Sequence, residues 1–241
     1  LNRNNSLKLT ITNASLGKTI SSETQLVKRI AVTDPAISSK FTFWNGTVGS
    51  GQAITDRIGC QSSPYVGRIK VILEFNYIDH FTTASGLSPI ARKVEMIVGE
   101  EKTTTVLGGE SYDLPLKGET FFDNIVQAVP QPSTISFFSH RELQNISMRV
   151  NVAGTELSTF MDVEAPSNTV NQDKPNYTNV NNGIGIWSSR EVVLWQSAID
   201  PSTQNQINIQ NATITYLESL NLGFCFGTTG IGFPVAPCVQ I

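Results

Sequence analysis

The run RIKVILEFNYI, Arg68 to Ile78, constrains the fold more than any other part of the chain. Ile69, Val71, Leu73, Phe75 and Tyr77 fall on one side of an extended backbone. Lys70, Glu74 and Asn76 fall on the other, and Ile72 interrupts them. Successive side chains of a strand point to opposite faces, so this pattern describes a ribbon with one face in a core and one toward water. ARKVEMIVGE, from Ala91, reads as its antiparallel partner across a loop holding Gly86 and Pro89. NISMRVNV alternates through Ile146, Met148, Val150 and Val152, and Ala153-Gly154 is expected to turn it into a return strand, TELSTFMDV. KLTIT, LVKRIAV and FTFW are shorter strand candidates.

Two segments carry helical spacing. GETFFDNIVQAVP puts Phe121, Phe122, Ile125, Val126 and Val129 on one side, with Thr120 as the expected N-cap and Pro130 as the stop. NATITYLESLNLG groups Ile214, Leu217 and Leu220 and stops at Gly223. The expected architecture is mainly β: an antiparallel β-sandwich with two short helices plugging or flanking it. One β-rich domain over 1–241 is expected, with a soft internal boundary near 114–118. The stretches Gly46–Gly67 and Ala165–Asn182 are rich in chain breakers and read as long surface loops.

Only 15% of residues are charged, against a usual share of about a quarter, and the net charge is -3. Low charge with many Ser, Thr and Asn suits an extracytoplasmic β protein. No basic patch offers a track for phosphates, so nucleic acid is not an expected partner. No apolar run is long enough to span a bilayer. The polar opening LNRNNSLKLT reads as that of a mature or incomplete form. The spacing of Cys60, Cys225 and Cys238 matches no zinc or redox motif; Cys225 and Cys238 can close a small disulfide loop, or all three can be buried or free thiols.

Signatures of chemistry are sparse. The chain lacks HExxH, GxSxG and a phosphate loop. The two histidines, His80 and His140, have no metal-ligand spacing, and no cofactor or metal is expected. Glu74, Glu95, Asp113, Glu119, Asp162 and Glu164 are available carboxylates, but a glycosidase needs two of them facing across a bond. Asp162 and Glu164 flank Val163 and would share one face of a strand, as an exposed edge or a pair of calcium ligands. Among the aromatics, Trp44 and Trp187 read as core, while Tyr65 and Tyr177 are the candidate contacts for a ligand or partner. The six Asn-x-Ser/Thr triplets, at Asn4, Asn13, Asn45, Asn145, Asn176 and Asn211, read as composition.

YTNVNNGIGIWSSR, Tyr177 to Arg190, is the densest glycine and asparagine cluster. Asn-Asn-Gly reads as a tight turn, IGIW as a short strand entering the interior, and Ser188 and Ser189 as caps for the next element. With this stretch, GETFF at Gly118–Phe122, the strand pair SMRVNVAGTELSTFMDV and NLGFC at Asn221–Cys225, the second half resembles uncharacterised outer-membrane lipoproteins of Bacteroidota. LEFNYID extends the likeness weakly into the first half. The resemblance implies a non-enzymatic, surface-exposed binding or structural subunit of an outer-membrane assembly for nutrient uptake, protein secretion or barrel insertion. Its partners would be other outer-membrane or surface proteins, and it would meet the membrane only through a lipid anchor not present in this sequence. Competing readings are a carbohydrate-binding module of a glycan-uptake system, a glycoside-active enzyme and, more remotely, a viral jelly-roll shell protein.

Overall fold

A computed structural model describes residues 6–36, 39–165, 177–196 and 209–225. In chain order the strands are β1 (Ser6–Asn13), β2 (Lys18–Gln25), β3 (Ala31–Asp34), β4 (Trp44–Asn45), β5 (Gln52–Ala53), β6 (Thr55–Gln61), β7 (Val66–Phe81), β8 (Ile90–Lys102) and β9 (Ser111–Lys117). Helix α1 (Gly118–Ala128), β10 (Phe138–Gly154), α2 (Thr155–Glu164), β11 (Arg190–Gln196), α3 (Asn211–Ser219) and β12 (Phe224–Cys225) complete the order. The fold is mainly β, sandwich-like and built from antiparallel sheets, as the alternation predicts, with three short α-helices among the described residues where two were expected.

The main sheet has the order β11-β10-β7-β8, with β12 parallel to β10. Its two long strands, β7 and β10, carry the alternation read in the sequence, and their inward side chains are almost fully buried. A three-stranded sheet, β3-β6-β9, adds Ile58, Cys60, Leu114 and Leu116 to the same core. The sheets meet closely because Gly99 of β8 has no side chain: a Cβ there would lie 2.9 Å from Leu114 of β9. Helix α1 lays Phe121 against Phe43 at 4.0 Å between ring centroids, and Phe75 meets Phe121 and Phe224 edge-on at 5.9 and 5.5 Å. Each such side chain, fully buried, contributes about 1.5–3 kcal/mol. The buried cluster draws from Val27 to Phe224, on both sides of residues 114–118.

Several local expectations are corrected. TELSTFMDV is helix α2, and β10 runs straight through Ala153-Gly154 with no hairpin turn. Gly154 is the helix N-cap, and Gly67 provides the seat: a Cβ at Gly67 would come within 2.7 Å of Ser158 and 2.8 Å of Thr155. The stretch Gly46–Gly67 is not one loop, since it holds β5, β6 and the start of β7. In LVKRIAV only Ala31 and Val32 are in a strand, and in FTFW only Trp44 is. Helix α1 begins at Gly118 with Lys117 as N-cap, not Thr120, because the Gly118 backbone packs on Phe43 and Ile54 where a Cβ would come within 2.3 Å of the Phe43 carbonyl oxygen. Helix α3 stops at Ser219, before Gly223. Cys225 is disulfide-bonded, Cys60 is a buried free thiol pushed up to about 11 by desolvation, and Cys238 lies outside the described residues.

Candidate functional site

The outward side chains of the main sheet form an open face. The strand registers align Leu194, Arg149, Ile72 and Ile97 in one row across β11, β10, β7 and β8. The neighbouring row runs Val192, Asn151, Lys70 and Glu100. Ile97 and Leu194, on the two edge strands, are 66% and 63% exposed, with Arg149 and the half-buried Ile72 between them, so the row is a broken apolar stripe. Beside it, Glu74 and Glu95 are cross-strand partners clamped by two cations. Lys93 Nζ lies 3.1 Å from Glu74 and 2.6 Å from Glu95; Arg149 Nη2 donates to Glu95 at 3.1 Å. Lys93 is the main reason the Glu95 carboxyl sits below its ordinary range. Exposed pairs of this kind add at most about 1 kcal/mol each. The clamp fixes a charge-balanced patch in which both carboxylates are paired with cations.

At one end of this face α2 overhangs the sheet. Leu157 and Met161 of α2, Val192 of β11 and the stems of Arg68, Lys70 and Arg190 line a cavity of about 210 Å³. Arg68 holds the overhang by donating to Glu100 at 2.5 Å and to Asp162, which Lys102 also reaches at 2.5 Å. Lys102 is the chief cause of the lowered Asp162 carboxyl. Asp162 and Glu164 are therefore helical, not two residues on one strand face. Among the described residues no group of three or more His, Cys, Asp or Glu converges as a metal site.

At the other end His80 and His140 are cross-strand partners whose rings stack at 4.4 Å. His80 Nε2 lies 3.0 Å from Glu142, and His140 Nδ1 lies 3.0 Å from the Ser139 hydroxyl. Burial, then the neighbouring His80, holds His140 below its ordinary pKa. Parallel stacked rings point their nitrogens along the stack plane, a poor arrangement for chelating one ion.

The inward face hides an ion pair. Asp79 and Arg141 are cross-strand partners, 1% and 0% exposed. Arg141 Nε donates to Asp79 at 2.9 Å, Nη1 donates to the Leu222 carbonyl, and Arg92 reaches the second Asp79 oxygen at 3.2 Å. A signal exists in the sequence all the same: Asp79 keeps the phase of Ile69 through Tyr77, so the period itself places a carboxylate inside.

The two predicted contact tyrosines are far from equivalent. Tyr65 is half-buried in a turn at φ 64, with its N–H donating to Val106 at 2.9 Å; it lines neither the cavity above nor the next one. Tyr177 lines a cavity of about 470 Å³ with Leu157, Phe160, Glu164 and Ile186. Burial, then Glu156, raises its hydroxyl pKa. The glycine-rich stretch after it proves to be a staple. Asn182 turns at φ 59, but IGIW forms no strand, and Ile184 is 88% exposed. Asn179 pairs its side-chain amide with the Trp187 backbone at 2.7 and 2.8 Å, and Trp187 donates to Leu7 of β1 at 3.2 Å. Ser188 accepts from Leu157 of α2 at 3.2 Å, and Ser189 accepts from Val27 at 3.0 Å, so both look back along the chain instead of capping the next element. Trp44 and Trp187 are half-buried, and Trp44 stacks on Tyr216 at 3.7 Å.

The fold and its open face define a mainly β protein with an amphipathic sheet surface. No protein-family model matches the chain, and no curated protein does. Among solved structures it is similar to Spo0M, a sporulation control protein from Bacillus subtilis, at 7% identity and a TM-score of 0.19 over 80% of this chain. The chain spans 53% of that structure, and a likeness so low carries no argument.

Proposed function

We propose that this chain is a non-catalytic binding subunit that docks a protein partner on the open face of its main sheet. The observation that supports this reading is the row Leu194–Arg149–Ile72–Ile97, in which two exposed apolar residues flank Arg149 of the charge-balanced clamp and the half-buried Ile72. Interfaces combine apolar side chains with polar and charged ones, and Arg is among the residues enriched there. Burying Leu194 and Ile97 fully would contribute about 1.5–3 kcal/mol each. The resemblance to Bacteroidota lipoproteins supplies the address: the cell surface, with a partner belonging to an outer-membrane assembly.

The test is comparative capture from detergent-solubilised Bacteroidota envelopes. Wild-type protein should retain an outer-membrane protein that Leu194→Asp and Ile97→Asp each release, with an affinity loss of at least about tenfold, since a buried unpaired charge is costly. Both positions are mostly solvent-exposed, so the variants should keep wild-type thermal midpoints. Equal capture by wild type and both variants would sink the docking-face reading.

A further inference from the structure

A separate corner, sharing no residue with the docking face, has the makings of a small-ligand site. The segment after α1 and the link between α3 and β12 meet around a cavity of about 550 Å³. Two of its lining residues, Phe137 and Asn221, are non-glycine residues in the left-handed region, at φ 59 and 56. Such geometry is unfavourable for a side chain as bulky as Phe and persists only where its surroundings enforce it. Here Thr82 clamps the turn by donating to the Phe137 carbonyl at 2.8 Å. The result is a Phe137 that lines the cavity and is 59% exposed.

The floor beneath it is rigid. Gly223 packs so closely that a Cβ would lie 2.8 Å from the Phe138 ring and 3.3 Å from Pro132. Behind Phe138 and Phe224 sits the buried Arg141, its guanidinium carbon 4.8 and 5.9 Å from the two ring centroids. Glu218, Asn221 and Ser133 line the cavity as well and bring a carboxylate, an amide and a hydroxyl to this corner. Partial burial raises the Glu218 pKa, and no cation lies among the lining residues to balance its charge.

We propose that this corner binds a neutral saccharide, with the apolar face of one sugar ring on Phe137 and its hydroxyls bonded to Glu218, Asn221 and Ser133. A sugar ring offers a flat face of C–H groups and an edge of hydroxyls that both donate and accept. The corner offers the complement: one exposed ring, a carboxylate that only accepts and an amide that does both. An anionic ligand meets an unbalanced carboxylate, and an acyl chain needs an enclosed apolar tunnel that an exposed Phe137 does not supply. The site is neither Tyr65 nor Tyr177.

The experiment is affinity electrophoresis in gels containing laminarin, galactomannan or amylopectin, with alginate as the acidic counterpart. At least one neutral gel should retard the wild-type protein. Phe137→Gly should weaken that retardation tenfold or more while leaving the thermal midpoint unchanged or higher, because it removes the ring and relieves the left-handed backbone together. Tyr177→Ala and Leu194→Asp should migrate as wild type, which separates this site from the docking face. Retardation by none of the neutral gels, retardation by alginate alone, or full retardation of Phe137→Gly overturns the proposal.

Discussion

Single side chains decide whether loops hold their shape, and Glu110 is the clearest case. Its carboxylate accepts from the Thr104 N–H at 3.0 Å, the Thr105 N–H at 2.6 Å, the Thr104 hydroxyl at 2.8 Å and the Tyr112 hydroxyl. Donors aimed at the charged form depress an acid, and the Tyr112 hydroxyl, followed by the Thr104 N–H, brings Glu110 from 4.5 to about 2. The same pair raises Tyr112, after desolvation, because its ionised form would face the carboxylate. The sign is that of an acid stronger in the folded state. Its contribution is present above the unfolded value near 4.5 and is lost as pH falls through about 2. The Thr105 amide resonance should therefore titrate with a midpoint near 2, and Glu110→Gln should abolish that titration. A midpoint near 4.5 would mean that the carboxylate does not tether the turn. The period places Asp79 inside, but the Glu110 tether is not legible in the sequence, because a Glu among threonines and glycines looks solvated until the turn closes around it.

Secondary-structure elements were legible in proportion to how many inward apolar residues they carry. β7, β8, β10, α1 and α3 announce themselves, since each repeats its period several times. β6 hid inside an expected loop because TDRIGCQ sends only Ile58 and Cys60 inward, and its partner β9 lies some fifty residues downstream. Gly59, a loop signal by composition, is required where a Cβ would meet the Thr33 hydroxyl at 2.6 Å. The α2 sequence reads as a strand because Leu157, Thr159, Met161 and Val163 alternate, while the helical spacing Leu157, Phe160, Met161 runs through the same residues. Backbone packing settles the choice: Ser158 donates to the Gly67 carbonyl at 3.1 Å, and α2 lies directly on β7. Gly67→Val should consequently destabilise the protein by about 1–3 kcal/mol through overpacking. Urea unfolding should show a lower midpoint with an unchanged slope. A wild-type midpoint would mean that α2 is not seated there.

Across the whole molecule, the stretch Tyr177–Arg190 joins parts that are remote in sequence. The β1–β2 hairpin leaves Ile11 and Leu16 largely exposed and adds no residue to the buried apolar cluster. It is held by polar bonds to the staple: Ser22 donates to the Asn179 carbonyl at 2.7 Å, and Asn181 exchanges backbone bonds with Ser21 at 2.7 and 3.3 Å. The sequence marked this stretch as special without saying why, since asparagine and serine signal turns, and only the fold shows that their bonds reach β1, β2 and α2. A core held by apolar burial and an arm held by hydrogen bonds should open separately, because local stability tracks buried contacts. Asn179→Ala removes the two bonds to Trp187, each with a net contribution of about 0.5–1.5 kcal/mol. Amide exchange in β1 and β2 should accelerate about tenfold, the equivalent of about 1.4 kcal/mol, while amides of β7 and β10 keep their wild-type rates. If β7 and β10 accelerate by the same factor, arm and core unfold as one unit, and the polar staple is part of the global fold instead of a fastening laid over it.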